Sequence, residues 1–300
     1  MDSYLHQLTA VILTYKTNLE ILKKCLKSID PKVKILIVEN SSEFKYLKEI
    51  NNNFSNVEVI CSGSNLGYGG GNNFGLNKVK TNYALILNPD VVCEDNFFNN
   101  INKYLSGEVD FALMGADYNN NTDFKPAGFF NDRNLESAKF DKNFNLYEVD
   151  WIAGHTILIN MKKFINKIFF DENFFLFFEE FDLCMSLKRK NEKIFISKDL
   201  KVDHMGWKSS FNIEGNLELY SHKLRNWHYM WSFFYFNKKN HGYLYSFFKS
   251  LSRLIRSIFR IIFYSITFNK TQRIIYTFRF LGLINSICLK KSSYRVNIKD

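Results

Sequence analysis

The 300-residue sequence predicts an α/β fold with a mostly parallel, helix-covered central sheet, followed by a basic and aromatic helical region. Three observations lead to this prediction. Apolar runs alternate with segments of helical spacing through the first hundred residues. The pattern then changes to mixed α+β over 108–219. From residue 220 onwards the chain holds 15 Lys or Arg and a single acid. We therefore divide the chain into a domain over 1–219, with halves 1–107 and 108–219, and a tail over 220–300.

The first half has a βαβαβαβ rhythm. Strands are predicted over 10–15, 33–39, 57–62 and 83–88, and helices over 18–29, 42–52 (with Ser42 as N-cap) and 72–80. In an open parallel sheet, ligands bind beyond the carboxyl ends of the strands. Glu39, Asn40 and Asp90 follow such ends. In the second half, 151–160 is strand-like and 179–191 is helical.

Composition favours a reducing compartment. The five cysteines are an odd number, widely scattered and without a C-x-x-C pair, which argues against a disulfide framework or a zinc site. The N-terminus shows no basic stretch before an apolar run, so we expect no signal peptide and a cytoplasmic location.

The tail over 220–300 carries a net charge of +14, whereas residues 1–219 carry −4. Its apolar stretches are interrupted by Lys or Arg too often for a transmembrane span. The spacing of Lys249, Arg253, Arg256 and Arg260 places four cations on one helical face, with bulky apolar residues filling the rest. Residues 246–291 are therefore predicted to bind the anionic inner face of the cytoplasmic membrane. The alternatives are a helix packed on its own domain and a homo-oligomer interface.

The stretch "NLGYGGGNNFG" (65–75) holds five glycines, four of them between residues 67 and 71, where a strand should turn into a helix. Glycine allows close backbone approach, and a helix N-terminus offers amides to a diphosphate. A dinucleotide-binding site is not indicated, because the G-x-G-x-x-G spacing is not met and the turn follows the third strand.

Two further stretches carry acids and a histidine. In "FDENFFLFFEEFDLC" (170–184), Glu179, Glu180 and Asp182 crowd into the first turn of a helix, more carboxylates than capping requires. A carboxylate among Phe177, Phe178 and Phe181 can have a raised pKa and act as a base. In "VDHMGWKSS" (202–210), a histidine ends a strand-like run. The strand "ALIL" ends in Asn88, Pro89 and Asp90, where the acid either completes a turn or marks a site.

In their order, the segments "VILTYK", "IVENSS", "NLGYGGGNN", "LILNPDV", "WIAGHTILI", "FDENFFLFFEEFDLC" and "VDHMGWKSS" resemble the inverting family 2 glycosyltransferases. The similarity is to the bacterial rhamnosyltransferase-like branch that builds cell-surface polysaccharides, and it covers about residues 8 to 230. The resemblance implies a GT-A fold over 1–219, with a nucleotide-binding half and an acceptor and catalytic half. It also implies a nucleotide-sugar donor and a divalent metal, Mg or Mn.

The resemblance assigns roles by position. The donor nucleotide would be bound by residues at the strand ends and in the glycine-rich loop: Thr14, Tyr15, Glu39, Asn40, Asn65, Gly67, Gly70, Asn72, Asn73 and Asn88. Glu39 stands where the family more often has Asp against the pyrimidine base. The "NPD" segment matches the D-x-D metal motif with Asn in first place. Asp90 would then hold the metal with His204.

Glu180 matches the general base of the family's acidic pair, where Asp is more common, with Glu179 beside it. Trp151, Gly154 and His155 match the segment that flanks the acceptor, and His155 either touches the acceptor or serves local packing. The implied reaction is inverting transfer from a dTDP- or UDP-sugar, with rhamnose a candidate, to a glycan or lipid-linked acceptor. No nucleic-acid partner is expected.

Two other classes of function stay open. A sugar nucleotidyltransferase would carry a basic glycine-rich loop after the first strand, and "TYKTNLE" has no glycine. A non-catalytic protein that binds nucleotide or nucleic acid would use the basic aromatic tail, with strong salt dependence.

Overall fold

The computed structural model describes residues 3–118, 125–131, 133–204 and 216–295. The chain divides into two compact units. The first consists of Met1–Asp171 with Glu180–Asn212, and the second of Glu172–Glu179 with Ile213–Asp300. Residues 172–179, which the sequence assigned to the domain over 1–219, therefore group with the C-terminal helices. The sequence-based boundary at 219/220 stays a prediction.

The N-terminal half of the first unit follows the predicted alternation of strands and helices. Its elements are β1 (Leu8–Thr14), α1 (Leu19–Lys27), β2 (Lys34–Glu39), α2 (Leu47–Asn53), β3 (Val57–Cys61), α3 (Gly67–Leu76) and β4 (Tyr83–Leu87). The side chain of Asn18 caps α1 by accepting the amides of Glu20 (2.9 Å) and Ile21 (3.2 Å). The prediction of Ser42 as the cap of the next helix was wrong. That helix begins at Leu47, after a loop in which Phe44 is buried against Tyr46.

The remaining elements of the first unit mix strands and helices. They are β5 (Val91–Cys93), α4 (Phe97–Leu105), β6 (Leu113–Tyr118), β7 (Ala127–Gly128), β8 (Phe140–Asp141), β9 (Leu146–Glu148), β10 (Trp151–Ile152), β11 (Thr156–Asn160), α5 (Glu179–Arg189) and β12 (Ile194–His204). The strand predicted over 151–160 is two strands. They are separate because β10 pairs with β7 in a small second sheet, whereas β11 pairs with β4 and β6 in the main sheet.

The main sheet has the order β3-β2-β1-β4-β11-β6-β12-β9-β8, with β5 paired to β12. The strands β3, β2, β1 and β4 run parallel, as do β6 and β12, and antiparallel strands complete the C-terminal half. The predicted α/β fold class is confirmed. The chain moves outward from β1 to β3 and then returns to place β4 on the other side of β1. Such a reversal opens a crevice at the carboxyl ends of β1 and β4, where ligands bind in doubly wound sheets.

The sheet is covered by apolar side chains on both faces, which explains why its central strands are continuous apolar runs. Alternate residues of β4 enter different clusters: Leu85 and Leu87 lie in one, and Ala84 and Ile86 in the other. Because successive side chains of a strand point to opposite faces, β4 is packed on both sides. This packing fixes the point at which the chain leaves the sheet after Leu87.

Helix α3 contains the glycines that the sequence placed in a turn ahead of the helix. Gly67 begins it with a φ of +81°, which favours glycine. A Cβ on Gly71 would lie 2.4 Å from Cδ1 of Leu13, and one on Gly75 would lie 2.7 Å from Cγ2 of Val38. These two glycines therefore let the helix pack closely on β1 and β2. Close packing outweighs the low helix propensity of glycine here.

The second unit contains α6 (Asn216–His241), α7 (Tyr243–Ile266) and α8 (Lys270–Ile287), which confirms the predicted helical tail. Gly242, with a φ of +92°, separates α6 from α7. A Cβ on Gly282 of α8 would lie 2.1 Å from the carbonyl oxygen of Trp227, so α8 contacts the backbone of α6. Over the described ranges, we find no helix with the combined length and apolarity that crossing a membrane requires.

Candidate functional site

The crevice between β1 and β4 is formed by the residues that follow each strand. Thr14 ends β1 and is buried, and Tyr15 follows it with partial exposure. After β4, the amide of Asn88 donates to the carbonyl oxygen of His155 (2.9 Å), and its carbonyl accepts the amide of Val91 (3.1 Å). Asp90 lies within this turn and is 1% exposed. The predicted nucleotide and metal residues of these two strands therefore meet at one edge of the sheet.

The Glu39 carboxylate is held at the carboxyl end of β2. Its Oε2 accepts a hydrogen bond from Thr14 Oγ1 (2.7 Å), and its Oε1 accepts from Ser41 Oγ (2.7 Å) and the amide of Lys16 (3.4 Å). A carboxylate offers about four acceptor positions, so roughly one remains for a further donor. The N–H of a pyrimidine base is such a donor. Glu39 is 3% exposed, and its predicted base contact fits this remaining position.

Asn40 braces the loop that leads into α3. Its Nδ2 donates to Asn65 Oδ1 (3.1 Å) and to the carbonyl of Gly67 (3.0 Å). Its Oδ1 accepts from the amide of Leu66 (2.9 Å) and from Ser62 Oγ (3.2 Å). Asn65 Oδ1 in turn accepts the amide of Gly67 (3.0 Å). These bonds use all four hydrogen-bonding positions of the Asn40 side-chain amide. Asn40 therefore holds the predicted nucleotide loop in place through hydrogen bonds within the protein.

Within α3, three predicted nucleotide residues have distinct surroundings. Gly70 is buried in the helix. The Asn73 amide forms two hydrogen bonds with the backbone of Phe170, from Nδ2 to the carbonyl (2.8 Å) and from the amide of Phe170 to Oδ1 (3.0 Å). Asn72 is fully buried and donates from Nδ2 to the carbonyl of Tyr68 (3.0 Å). Its Oδ1 has no hydrogen-bond partner within the described ranges. Asn73 thus positions another segment, whereas Asn72 presents an unsatisfied acceptor.

His155 lies beside the Asn88–Asp90 turn. Its ring stacks on that of Tyr118 with centroids 4.4 Å apart, and its Nδ1 is 2.8 Å from Thr156 Oγ1. Burial, assisted by the charge of Asp90, raises the pKa of Tyr118 well above its usual range. His155 is 5% exposed. The structure therefore brings this predicted acceptor residue beside the predicted metal motif, where its ring is packed.

Residue 204 lies near the Asn88–Asp90 turn because its strand pairs with the strand that follows the turn. Strand β12 pairs with β5 antiparallel, and His204 is opposite Val91, the residue after Asp90. The backbone at residue 204 is therefore adjacent to the predicted metal motif. The side chain of His204 lies outside the described part of the structure.

The predicted acidic pair begins α5. Glu179 and Asp182 are buried, whereas Glu180 keeps partial exposure. Removal from bulk water raises the pKa of Glu180 to about 7, although a backbone N–H at the helix start opposes this shift. A carboxyl group that titrates near neutral pH is suited to accept a proton from a hydroxyl group.

The two residues before this pair have an unusual backbone. Phe177 and Phe178 have φ values of +68° and +70°. A bulky residue in the left-handed region is rare and costs about 1–3 kcal/mol. In the second unit, Phe178 contacts Tyr229 and Phe236 of α6, with ring centroids 5.6 Å apart in each case. These contacts hold the strained backbone that leads into the acidic pair.

The three phenylalanines predicted to surround the base fall in different units: Phe177 and Phe178 in the second unit and Phe181 in the first. Phe181, on α5, packs against Trp151 with ring centroids 4.9 Å apart and against Phe130 at 6.4 Å. Trp151 Nε1 donates to the carbonyl of Phe129 (3.2 Å), and the indole covers Gly128, where a Cβ would lie 2.6 Å from the ring. The predicted acceptor residue Trp151 is therefore next to the helix turn that carries Glu180.

Gly154, the third predicted acceptor residue, is tied to α3. Its carbonyl accepts a hydrogen bond from the hydroxyl of Tyr68, and a Cβ on Gly154 would lie 3.2 Å from that oxygen. Tyr68 also meets Phe170 edge to face at 6.0 Å. Tyr68 was not selected from the sequence, although it stands between Gly67 and Gly69 in the glycine-rich stretch.

Sequence reasoning also missed Asp150, a buried acid that binds two cations. Its carboxylate accepts from Lys188 Nζ at 2.6 Å and from Arg133 Nη2 at 3.2 Å, and it accepts the amide of Phe130 (3.2 Å). Burial alone would raise the pKa of Asp150, but these partners outweigh it and hold the pKa below its usual range. The available signal was the position of an acid directly before Trp151.

A divalent metal fits the residues at the end of β4. In the part of the chain that the structure describes, no three His, Cys, Asp or Glu residues cluster as metal ligands. Magnesium and manganese are commonly bound by one or two carboxylates, with phosphate and water oxygens completing the shell. The buried Asp90 carboxylate offers an oxygen ligand of this kind.

The sequence of this chain is similar to known proteins. Residues 9–169 match the family described as Glycosyl transferase family 2. The low-salt glycan biosynthesis hexosyltransferase Agl10 of Haloferax volcanii is 26% identical over 204 residues, which are 64% of this chain and 65% of that protein. The rhamnosyltransferase WbbL of Escherichia coli K12 is 25% identical over 202 residues, covering 59% of this chain and 75% of that protein. The chain thus spans just under two thirds of the length of the first relative.

Two solved structures share the fold. The mannosyltransferase PcManGT from Pyrobaculum calidifontis, in complex with GDP-Man and Mn2+, has a TM-score of 0.54 at 8% identity. The match covers 95% of this chain and 88% of that one. GalNAc-T7 with UDP, GalNAc and Mn2+ has a TM-score of 0.51 at 15% identity, covering 75% of this chain and 50% of that one.

Proposed function

The chain belongs to glycosyl transferase family 2, and on that premise we propose that it transfers a sugar, with inversion, from a pyrimidine nucleotide to a glycan or lipid-linked acceptor. The proposal rests chiefly on the Glu180 carboxyl, which lies in the first turn of α5, the turn whose Phe181 packs on Trp151, and which has its pKa raised to about 7. The relatives, named as a hexosyltransferase and a rhamnosyltransferase, support a hexose or deoxyhexose as the sugar. A role in surface polysaccharide synthesis at the cytoplasmic face of a bacterial membrane is part of this proposal.

The donor would bind in the crevice between β1 and β4. Glu39 would accept the N–H of the uracil or thymine base at its remaining position. The N-terminus of α3, braced by Asn40 and Asn65, would direct backbone amides and the positive end of the helix dipole at the diphosphate. The buried oxygen of Asn72 would accept a donor group of the ligand.

Asp90 and His204 would hold a divalent cation at the diphosphate. When bound, such a cation neutralises the charge that develops on the leaving nucleoside diphosphate. Within the protein itself, the backbone contact between Asn88 and His155 sets the position of the Asp90 turn.

Glu180 would remove the proton from the acceptor hydroxyl as its oxygen attacks the anomeric carbon. The bond from that carbon to the diphosphate oxygen breaks on the opposite face, and the nucleoside diphosphate leaves with the bonding electron pair. One displacement inverts the configuration and requires no covalent sugar–enzyme intermediate. The Trp151 and Phe181 rings would offer an aromatic surface to the acceptor sugar beside this base.

The test replaces the base without changing its size. Glu180→Gln is expected to lower transfer by about 100-fold to 10,000-fold, the usual contribution of a general base. The affinity for UDP or dTDP should stay within about threefold, because uncharged Gln keeps the shape of the side chain. The matched control is Glu108→Gln at an exposed site away from the crevice. Full activity of Glu180→Gln would overturn the assignment.

A further inference from the structure

We propose that α7 docks on an anionic lipid bilayer through one apolar face, lying in the plane of the interface. This proposal names the surface that would hold the transferase at a membrane. It depends on the proposed function only for the idea that the acceptor is linked to a lipid. The surface, here called the outer stripe, recurs every three or four residues and consists of Leu244, Phe248, Leu251, Ile255, Phe259, Ile262 and Ile266.

The outer stripe is exposed along its whole length. Exposure of its members runs from 38% for Leu251 to 71% for Leu244 and Ile266, with both phenylalanines at 68%. Residues at this spacing lie on the same side of a helix. Seven large apolar side chains in one row exceed the scattered apolar residues normal on a soluble surface, and such a patch marks an interaction site.

The opposite side of α7 faces α6 and α8, and it combines small buried serines with Phe247 and Leu254, which pack against a buried apolar cluster. Ser246, Ser250 and Ser257 are at most 2% exposed. Ser246 Oγ donates to the carbonyl of Phe234 in α6 (2.8 Å), and Ser257 Oγ donates to the carbonyl of Arg253 within α7 (2.8 Å). A helix of a soluble protein normally buries its large apolar residues and exposes its polar ones. Here only part of the apolar content of α7 is packed inward, and the outer stripe is left exposed.

Cations border the outer stripe. Lys249, Arg256 and Arg260 are exposed and lie along one flank. Arg253, which the sequence placed on the same face, instead lies inward with its guanidinium 3.9 Å from the Phe233 ring centroid. The sequence of α7 contains no acid. Exposed cations beside exposed Phe, Leu and Ile are the composition of interfacial helices.

Charge favours a bilayer over a second copy of this chain. A two-fold dimer would place the same cationic flank against itself, because both partners contribute the same patch. An anionic lipid surface instead attracts each of the three cations. A helix of 24 residues is about 36 Å long and would insert its apolar side to the depth of the headgroup boundary.

The experiment measures flotation of the full chain with vesicles of phosphatidylcholine mixed with phosphatidylglycerol, and with vesicles of phosphatidylcholine alone. The triple variant Phe248→Ser, Phe259→Ser, Ile262→Ser should lose about 100-fold or more in vesicle partitioning. The matched control is Ile165→Ser with Ile168→Ser, which removes apolar side chains that are 90% and 74% exposed in the first unit. This control should bind as the wild type does.

Charge is tested separately. Lys249→Gln, Arg256→Gln, Arg260→Gln together should weaken binding to the anionic vesicles by about two orders of magnitude. The same change in net charge at Lys32, Lys34 and Lys48, all exposed in the first unit, should have a much smaller effect. Equal losses from both triple changes would overturn the proposed surface.

Other outcomes also decide the proposal. Vesicle binding that persists in the Phe248, Phe259 and Ile262 variant would overturn it. So would a wild-type dimer in light scattering that becomes monomeric in that variant without any vesicle binding. UDP or dTDP binding, and transfer to a water-soluble acceptor, should be unchanged in the variant. A wild-type chain that binds vesicles but neither binds UDP or dTDP nor transfers a sugar would count against the proposed function and leave the docking surface standing.

Discussion

The side-chain amide of Asn73 in α3 pairs with the backbone of Phe170, donating to its carbonyl at 2.8 Å and accepting from its amide at 3.0 Å. The two residues are 97 positions apart in the sequence. The side-chain amide satisfies both the N–H and the C=O of Phe170, as the backbone of a paired strand would. Phe170 lies just before the segment that leads to Glu180. The helix at the predicted nucleotide loop thus holds the chain that delivers the predicted base.

We expect Asn73→Leu to destabilise the first unit by about 2–4 kcal/mol, because it leaves a buried N–H and a buried C=O of Phe170 without partners. Urea unfolding measures this loss. The control Asn53→Leu removes an amide that only bonds within its own exposed helix end, and it should change stability by less than about 1 kcal/mol. An unperturbed Asn73→Leu protein would show that water satisfies Phe170.

The pH dependence of transfer should report Glu180. Because desolvation raises the pKa of Glu180 to about 7, the base is protonated and inactive below that pH. We expect kcat/KM to fall on the acid side with an apparent pKa near 7. An acid limb near the ordinary glutamate range would contradict this environment.

The raised pKa of Glu180 also makes the free energy of unfolding depend on pH. Stability falls as pH rises here, whereas a salt-bridged acid adds stability as pH rises. The pKa of Glu180 is higher in the folded chain than the usual 4.5, so the contribution of this proton to stability is present below pH 4.5 and lost as pH rises through about 7. Gln at position 180 cannot ionise. The stability of Glu180→Gln relative to wild type should therefore increase as the pH is raised from about 5 to about 8. Thermal unfolding of both proteins across this range measures the difference, and Glu108→Gln should show none.

Asp90→Asn should remove the effect of manganese on nucleotide affinity. The substitution keeps the shape of the side chain but removes the charge that would hold a divalent cation, so titration of UDP or dTDP with and without manganese should give equal affinities. The control is Asp95→Asn, an exposed acid close by in sequence. A metal effect that survives in Asp90→Asn would place the cation elsewhere.

Asn72→Leu should stabilise the fold slightly and weaken donor binding. Its buried Oδ1 lacks a partner within the described residues, and an apolar replacement of similar size removes that cost of about 1–3 kcal/mol, while loss of the bond from Nδ2 to Tyr68 offsets part of the gain. If the oxygen accepts a hydrogen bond from the donor, the loss should raise the Kd for the nucleotide about tenfold.

A matched control exists in α6. Asn237 is buried, donates from Nδ2 to the carbonyl four residues earlier (2.7 Å), and has an Oδ1 without a partner in the described chain, as Asn72 does. Asn237→Leu should change stability similarly and leave nucleotide affinity unchanged. Equal nucleotide affinity in both variants would show that Asn72 has no role in donor binding.

Much of the fold could be predicted because it is encoded locally. The apolar runs of β1, β2, β3 and β4 and the helical spacing of α1 determine their own secondary structure. The crevice followed from the order of these elements, since Glu39 ends one strand of the parallel sheet and Asp90 follows another. The position of α3 was not predictable from propensity. Its glycines disfavour a helix, and only the contacts of Gly71 and Gly75 with the sheet explain it.

The parts that escaped prediction depend on distant pairs. Nothing near Asn73 in the sequence indicates Phe170 as its partner, and nothing near Asp150 indicates Lys188. The periodicity of α7 predicted an amphipathic helix, but a period does not say which side faces inward. That orientation depends on the contacts with α6 and α8, where Ser246, Phe247 and Leu254 lie on the inner side.

The exposed outer stripe of α7 has a calorimetric consequence. The heat capacity of unfolding rises with the apolar surface that is newly exposed to water. The side chains of the outer stripe already contact water in the folded chain. Melting of the α6–α8 unit should therefore show a smaller heat-capacity increment per residue than its aromatic and aliphatic content suggests, and the increment should grow when vesicles cover the stripe.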